Sequence, residues 1–280
     1  MRPLPTGTKE RSITRFTATA ATGARDVLAE EEPLEIALLV RGRRRVAAVT
    51  MRTPGNDLDL ALGFLFSEGL LPPEATTGAG AQVQGNVLEL PWPPALPLEL
   101  RGLDRNSYTS SSCGVCGKTS LDLIHQALPF PEDPTPRAYP VNLLCSLPDR
   151  LRAAQQLFDR TGGIHAAGLF ADDGTLLHYA EDVGRHNALD KVLGHAYRTD
   201  ALPLYGRLLV LSGRASFELL QKAAMAGITT VLSVGAPSTL AAELAEDQGI
   251  TLCGFVRPGG LNCYSHPHRI TAAVGQTPDA

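Results

Sequence analysis

The chain has 280 residues, with 25 Lys and Arg against 29 Asp and Glu, a formal net charge of −4. This near balance argues against a general nucleic-acid binder, while 44% apolar residues with 27 glycines and 21 prolines indicate a globular, turn-rich protein of up to two domains. Five cysteines, an odd number scattered through a long chain, argue against a secreted disulfide scaffold.

The first half predicts a small β-rich α+β domain. Residues 1–25 show no clear period, and we predict a mobile arm. Apolar runs at 34–40 and 46–51 flank a Gly-Arg turn and predict a hairpin. Apolar spacing from Asp57 predicts a buried helix that stops at Gly69, and residues 81–90 predict another strand pair. The domain spans 26–128 and carries a Ser- and Gly-rich loop at 106–120.

The second half predicts an α/β domain. Five prolines within 129–140 indicate a linker, and residues 141–280 follow as the second domain. Ser146 predicts the cap of a helix that ends at Gly162 and Gly163. Further strands are predicted at 164–170, 175–180, 208–211, 228–234 and 250–256, with helices at 187–194, 215–226 and 238–248. This alternation predicts a mixed or parallel sheet covered on both faces.

The N-terminal sequence MRPLPTGTKERSITRF has no apolar run typical of a secretory signal. The longest uncharged stretch of the second half, residues 228–242, is broken by Ser, Thr, Gly and Pro. We therefore predict a cytoplasmic protein without a membrane span. In that compartment, closely spaced cysteines are more often catalytic or metal-binding than structural.

Two cysteines form the tightest cluster in the chain, Cys113-Gly-Val-Cys116, within the loop at 106–120. Lys118 and a helix predicted just after the loop favour the reactive thiolate form. Three uses stay open: thiol-disulfide exchange, zinc binding, and carriage of a sulfane sulfur. Zinc would need a second ligand pair, which folding could supply from Cys253, Cys263, His266 and His268. Cys145 and Cys253 are otherwise interpreted as packing residues.

Three loops of the second half combine glycine with arginine. Arg185, Arg214 and Arg257 lie in the segments 182–187, 212–216 and 255–260, each at the end of a predicted strand. Helix N-termini and the arginine fork both suit phosphate, and loops at strand ends form the usual ligand crevice of open α/β sheets. The loops predict a nucleotide or other phosphate ligand. His165, by itself, is interpreted as a core histidine.

Several long segments resemble the FdhD family, the formate dehydrogenase accessory sulfurtransferases. They include TPGNDLDLALGFLFSEGL, SSCGVCGK, EDVGRHNALDKVLG and GFVRPGGLNCYSHPHRI, and the resemblance covers roughly residues 30 to 270. It implies a sulfurtransferase that takes sulfur from a cysteine desulfurase as a cysteine persulfide. The sulfur passes to the molybdenum or tungsten bis-molybdopterin guanine dinucleotide cofactor required by formate dehydrogenase. Cys113 is the implied persulfide carrier and Cys116 its partner thiol.

The resemblance also implies where the cofactor binds. The family's cofactor stretch maps onto Phe255, Val256, Arg257, Pro258, Gly259 and Gly260, and the remaining candidate contacts are Asn262, Arg214, Arg185 and His165. Pro258 and Gly260 depart from the family pattern, which has a small, flexible or polar residue at the first position and a larger polar one at the second. GDP is the expected analogue of the nucleotide ends. The implied partners are a cysteine desulfurase, formate dehydrogenase and a second copy in a homodimer, with no nucleic acid, membrane or resident metal.

The fold class expected is α/β, α+β overall, with a C-terminal domain similar to the cytidine-deaminase fold. Deaminases need His-x-Glu and Pro-Cys-x-x-Cys for their zinc, whereas this chain reads His165-Ala-Ala167 and Ser212-Gly-Arg-Ala-Ser216 at the matching places. The fold likeness therefore does not imply deamination. The alternative function is a zinc-stabilised CxxC scaffold or chaperone for a molybdoenzyme, without sulfur transfer.

Overall fold

A computed structural model describes residues 4–96, 128–135 and 137–272. Within these ranges the chain is mixed α/β, as predicted, with four sheets and six α-helices. The strands are β1 (Thr8–Phe16), β2 (Ala21–Ala29), β3 (Glu32–Val40), β4 (Arg43–Arg52), β5 (Gln82–Gln84), β6 (Val87–Pro91), β7 (Tyr139–Pro140), β8 (His165–Phe170), β9 (Leu176–Asp182), β10 (Leu208–Leu211), β11 (Thr230–Ser233), β12 (Thr251–Arg257), β13 (Gly260–Cys263) and β14 (Ile270–Thr271). The helices are α1 (Asp57–Ser67), α2 (Val141–Ala154), α3 (Gln156–Thr161), α4 (Arg185–Arg198), α5 (Phe217–Met225) and α6 (Thr239–Asp247).

The chain divides into two units that are each assembled from separate segments. Unit 1 takes the described residues of Met1–Gln126, Gln155–Ala166 and Ala180–Thr199. Unit 2 takes those of Ala127–Ala154, Ala167–Tyr179 and Asp200–Ala280. The sequence predicts two consecutive domains joined at 129–140. The proline-rich segment at 129–140 can be recognised from its composition. The later unit boundaries, at 154/155, 166/167, 179/180 and 199/200, have no comparable run of prolines.

Unit 1 begins with an antiparallel ribbon. β1 pairs with β2 from Thr8 opposite Ala29 to Phe16 opposite Ala21. This part of the chain thus has regular structure where the sequence predicts only an arm. Most of its residues are exposed on both faces, so the ribbon lacks the polar-apolar alternation that identifies a strand in a sequence.

The core of unit 1 is a four-stranded sheet with α1 and α4. The strand order is β4-β3-β6-β5, and the predicted hairpin is confirmed as β3 and β4. Ile36, Leu38, Leu88 and Leu90 are fully buried, and β6 shows the alternation expected of a strand with one buried face. In β3 Ala37 is buried as well, at the irregular pairing between Ile36 and Ala37. The predicted helix from Asp57 is confirmed as α1.

Unit 2 is built around a six-stranded sheet of order β13-β12-β11-β10-β8-β9. β10, β11 and β12 run parallel, while β8 and β13 pair antiparallel to their neighbours. Every residue of β10 is buried, which matches the apolar run predicted at 208–211. The alternation of strand and helix through β12 is confirmed, with most bounds within about two residues of their predictions. The exception is α4, which ends at Arg198, four residues after its predicted end at 194.

The prediction of one helix starting at Ser146 is wrong. Two helices, α2 and α3, occupy the region and are separated at Gln155. The Ser146 hydroxyl donates to the Leu143 carbonyl at 2.7 Å and so lies inside α2. Serine forms such bonds within helices as well as at their caps, so its presence does not fix a start. The predicted end is confirmed, since Gly162 caps α3 with a φ of 65°.

Candidate functional site

The carboxyl ends of β10, β11 and β12 meet at one edge of the unit 2 sheet because these strands are parallel. The loops that follow them are joined by backbone hydrogen bonds. Gly235 N–H donates to Gly213 O at 3.0 Å, Ser238 N–H to Ala215 O at 3.0 Å, and Phe255 N–H to Gly235 O at 3.3 Å. We call residues 212–216 and 234–238, together with residues 254–260 from the irregular end of β12 to the start of β13, the carboxyl-edge loops.

Glycines let the carboxyl-edge loops approach one another closely. A Cβ placed on Gly235 would lie 2.9 Å from Cγ of Arg214, and one on Gly254 would lie 2.8 Å from Cδ of Pro237. The stem of Arg214 therefore packs against the glycine backbone, and the residue as a whole is exposed. A guanidinium held this way at a sheet edge is suited to an anionic ligand.

Two helices begin from these loops. α5 follows Ser216, and α6 follows Ser238, whose hydroxyl accepts the Ala241 N–H at 3.2 Å. The first N–H groups of a helix carry partial positive charge. The carboxyl-edge loops therefore combine Arg214 with the N-termini of two helices.

The predicted cofactor stretch forms the hairpin of β12 and β13. Phe255 is 40% exposed and adopts a φ of 52°, while Arg257, Pro258 and Gly259 are also exposed. A positive φ is uncommon for a bulky residue, and it coincides with the irregular pairing between Gly254 and Arg257. The exposed phenyl ring offers a face for stacking.

Three other predicted residues of the β12–β13 hairpin differ in how exposed their side chains are. Val256 is 1% exposed, because successive residues of a strand face opposite sides, so its side chain is not available to a ligand. Asn262 is exposed and pairs with Gly254 across the hairpin. Gly260 is half-buried and pairs with Arg257. Unit 2 thus brings Arg214 and the stretch to the same sheet edge.

The predicted residues His165 and Arg185 belong to unit 1. Burial, with the charges of Arg185 and His186, lowers the pKa of His165, and Asp182 opposes the shift. The imidazole is therefore neutral at neutral pH. Arg185 is the first residue of α4, after the Gly184 cap.

The sequence analysis did not predict the buried ion pair of Asp182 and Lys191. Asp182 is fully buried, with its Oδ2 2.8 Å from Nζ of Lys191, which is 3% exposed. Asp182 also accepts hydrogen bonds from the backbone N–H of Thr53 at 3.1 Å and of Gly184 at 2.8 Å. The signal in the sequence was Lys191, a charged residue among the apolar residues of α4, which indicates a buried charge that needs a partner.

The predicted persulfide cysteines, Cys113 and Cys116, lie outside the described residues, as does Lys118. Within the described ranges, no group of three or more His, Cys, Asp or Glu could hold a metal ion. Cys253, Cys263, His266 and His268 therefore do not form a group of three or more ligands among the described residues. Nor does any described helix combine the length and the apolar character needed to cross a membrane.

The fold and the carboxyl-edge loops define an α/β protein of the open-sheet class, with arginine and glycine where such sheets bind ligands. The model of the FdhD/NarQ family matches residues 29–271, and the chain belongs to that family.

Curated relatives match nearly the full length. Sulfur carrier protein FdhD of Streptomyces avermitilis is 49% identical, over 96% of this chain and 98% of its own. The protein of the same name from Streptomyces coelicolor is 48% identical over the same shares. That of Mycobacterium tuberculosis is 43% identical over 94% of this chain and 99% of its own.

The fold is shared with a protein from Desulfotalea psychrophila described as a candidate formate dehydrogenase accessory protein. The two superpose with a TM-score of 0.71 over 94% of this chain and 99% of the other, at 24% identity. Guanine deaminase from Nitrosomonas europaea gives a TM-score of 0.29 over 47% of this chain and 89% of its own, at 16% identity. A score this low does not establish a common fold, so the deaminase-like part of the fold class stays a prediction.

Proposed function

We propose that this protein is a sulfur carrier and sulfurtransferase. Cys113 receives sulfur from a cysteine desulfurase and passes it to a molybdenum or tungsten bis-molybdopterin guanine dinucleotide, the substrate, for use by formate dehydrogenase. Membership of the FdhD/NarQ family carries this proposal, since full-length relatives bear the name sulfur carrier protein and this chain has the Cys113-Gly-Val-Cys116 pair.

The transfer needs no outside oxidant in its first step. The Cys113 thiolate attacks the outer sulfur of the donor persulfide, a new S–S bond forms, the donor's S–S bond breaks, and the donor thiolate leaves. In the second step the Cys116 thiolate attacks the inner sulfur of the Cys113 persulfide. A Cys113–Cys116 disulfide forms, hydrosulfide is released towards the metal, and a dithiol reductant resets the pair with two electrons.

The carboxyl-edge loops support the binding of an anionic, nucleotide-bearing substrate. Arg214 offers a guanidinium for phosphate, and the α5 and α6 N-termini add partial positive charge beside it. The exposed ring of Phe255 is suited to a planar base. Exposed Arg257 adds a second cation on the same hairpin.

The test is intact-mass spectrometry after incubation with a cysteine desulfurase and cysteine. We expect the wild-type protein to gain the mass of one sulfur atom, lost on reduction, and Cys113→Ala to gain none. Cys145→Ala, which removes a buried cysteine, is the matched control and should gain sulfur normally. Cys116→Ala should gain sulfur but release less of it.

The zinc-stabilised scaffold predicts the opposite set of results. It requires stoichiometric zinc in the purified protein, lost when Cys113 or Cys116 is replaced, and no sulfur gain with an active desulfurase. Elemental analysis of the wild type and the two variants separates the functions. A wild-type protein that binds zinc and gains no sulfur would overturn the carrier role.

A further inference from the structure

Two cysteines that the proposed function does not use face each other in unit 2. Cys253 of β12 lies directly opposite Cys263 of β13 in an antiparallel pair. Tyr264 N–H donates to Leu252 O at 2.9 Å, which makes the adjoining pair hydrogen-bonded. Because the two kinds of pair alternate, Cys253 and Cys263 occupy a non-hydrogen-bonded position, where side chains share a face and the Cα atoms lie about 4.5 Å apart.

That geometry accommodates a disulfide. Bridged cysteines have Cα atoms about 4.4 to 6.8 Å apart and Cβ atoms that point towards each other. A non-hydrogen-bonded antiparallel pair satisfies both conditions. Both thiols are free in this structure. A bond between them would therefore need side-chain rotation rather than movement of β12 or β13.

The two thiols differ in access and in protonation. Cys253 is fully buried, while Cys263 is half-buried, with its Sγ 3.2 Å from Ser265 O. The hydrogen bond between the thiols and a backbone hydrogen bond at Ser265 outweigh burial and the charge of Glu246, and lower the pKa of Cys263 to about 7. The same interaction, with burial, raises the pKa of Cys253. Cys263 is thus the more accessible of the two thiols and the one whose pKa is lowered, while Cys253 is the fully buried neighbour.

A third cysteine provides an internal comparison. Cys145 lies on α2, which packs against β12 and β13, and it is buried. Burial raises the pKa of its thiol, against a hydrogen bond with the Gly260 backbone. It belongs to a helix rather than to the paired strands, so no strand register places it opposite either of the other two.

We propose that Cys253 and Cys263 form a redox modification site that closes to a cross-strand disulfide when a hydroperoxide oxidises Cys263. The Cys263 thiolate attacks the peroxide, the O–O bond breaks, and a sulfenic acid forms with release of an alcohol or water. Cys253 sulfur then attacks the sulfenic sulfur, the S–O bond breaks, and the thiol proton leaves with the hydroxyl group as water. Two electrons pass from the two thiols to the peroxide. A dithiol reductant returns the pair to its starting state.

The hairpin between the two cysteines contains residues 255–260, the predicted cofactor stretch. A disulfide would therefore tie together the two strands that hold this stretch. Any effect of oxidation on nucleotide binding rests on the proposed function. The formation of the disulfide does not, and it is measured without desulfurase, cofactor or client enzyme.

The experiment uses the full-length protein with Cys113→Ser and Cys116→Ser, which leaves only Cys145, Cys253 and Cys263 of the five cysteines. The reduced protein is treated with hydrogen peroxide, denatured, alkylated and mapped. Trypsin does not separate the pair, because Arg257 precedes Pro258, so chymotrypsin, which cuts after Phe255 and Leu261, is used. We expect loss of two hydrogen atoms, one alkylated thiol at Cys145, and a linked peptide joining Cys253 to Cys263.

Two further variants on this background identify the roles. With Cys253→Ser, Cys263 should stop at the sulfenic acid and be captured by dimedone. With Cys145→Ser, the matched control, the Cys253–Cys263 link should form as before. A link through Cys145, a sulfinic acid at Cys263 without any link, or no oxidation in excess peroxide would each overturn the proposal. Mapping the wild-type protein in the same way guards against misfolding of the variants.

Discussion

At the scale of single residues, Asp182 shows how a buried charge depends on its surroundings. Its carboxylate is fully buried and is balanced by Lys191 at 2.8 Å and by backbone N–H donors from Thr53 and Gly184. Lys191 also donates to Thr53 O at 2.9 Å. Removing one partner of such a pair leaves the other charge buried without compensation.

We therefore expect Asp182→Ala to lower the free energy of unfolding by about 3 to 5 kcal/mol, measured by urea denaturation near neutral pH. Glu10→Ala is the matched control. It removes a carboxylate from an exposed pair, since its partner Arg25 is 71% exposed, and should change stability by less than about 1 kcal/mol. Equal losses in the two variants would contradict the compensating role of the buried pair.

The same residue marks a limit of sequence reasoning. The segment 182–187 predicts a phosphate loop because it combines glycine with Arg185. In the structure, however, Asp182 forms a buried ion pair and accepts backbone hydrogen bonds within the protein. The Thr53 N–H that donates to it lies 129 positions away in the chain. Local sequence patterns predict secondary structure from composition and periodicity. They do not show which backbone groups, distant in the chain, will donate hydrogen bonds to a given carboxylate.

At the scale of elements, the crossing of α1 and α4 depends on two glycines. A Cβ on Gly63 would lie 1.8 Å from the Asp190 carbonyl oxygen, and one on Gly194 would lie 1.7 Å from that of Asp59. These distances are far inside van der Waals contact, and the atoms met belong to helix backbone that does not move aside. The two helices can pack this closely only because both positions lack a side chain.

We expect Gly63→Ala to lower the thermal midpoint and to reduce the free energy of unfolding by about 1 to 3 kcal/mol or more, through overpacking. Gly194→Ala should act in the same direction. Gly23→Ala is the control, because no atom of the described residues lies within 4 Å of a Cβ at that strand position. If Gly63→Ala were as stable as Gly23→Ala, the close crossing of the helices would be wrong.

Elements were predictable where burial imposes a period. β10 falls on the predicted residues 208–211, because a buried strand reads as an apolar run, and the sheet strands β11 and β12 lie within their predicted ranges or one residue beyond. The ribbon of β1 and β2 was missed because both faces are exposed. The break at Gln155 was missed because no glycine or proline marks it. β13 was missed because the glycine- and arginine-bearing segment 255–260 predicts a loop at the place where the β12–β13 hairpin forms.

At the scale of the whole molecule, the predicted binding residues come from both units. His165 and Arg185 belong to unit 1, whereas Arg214 and the hairpin of residues 255–262 belong to unit 2. The placement of Arg214 near this hairpin was predictable in outline, since parallel strands end at one sheet edge. Its packing against Gly235 was not, because the distance between the two loops follows from the three-dimensional fold alone.

A ligand that binds only the folded chain raises the free energy of unfolding of the whole protein. Global unfolding therefore measures how tightly a nucleotide binds to the carboxyl-edge loops. We expect GDP at about 100 times its Kd to raise the free energy of unfolding by about 2.7 kcal/mol. Arg214→Ala should lose most of this gain at the same GDP concentration, because the variant lacks the guanidinium assigned to phosphate. Arg207→Ala is the matched control, since Arg207 precedes β10 at the opposite end of the strand from Arg214. Calorimetry that detects no heat, together with an unchanged unfolding midpoint in GDP, would contradict nucleotide binding. An equal loss in both variants would instead contradict the assignment to Arg214.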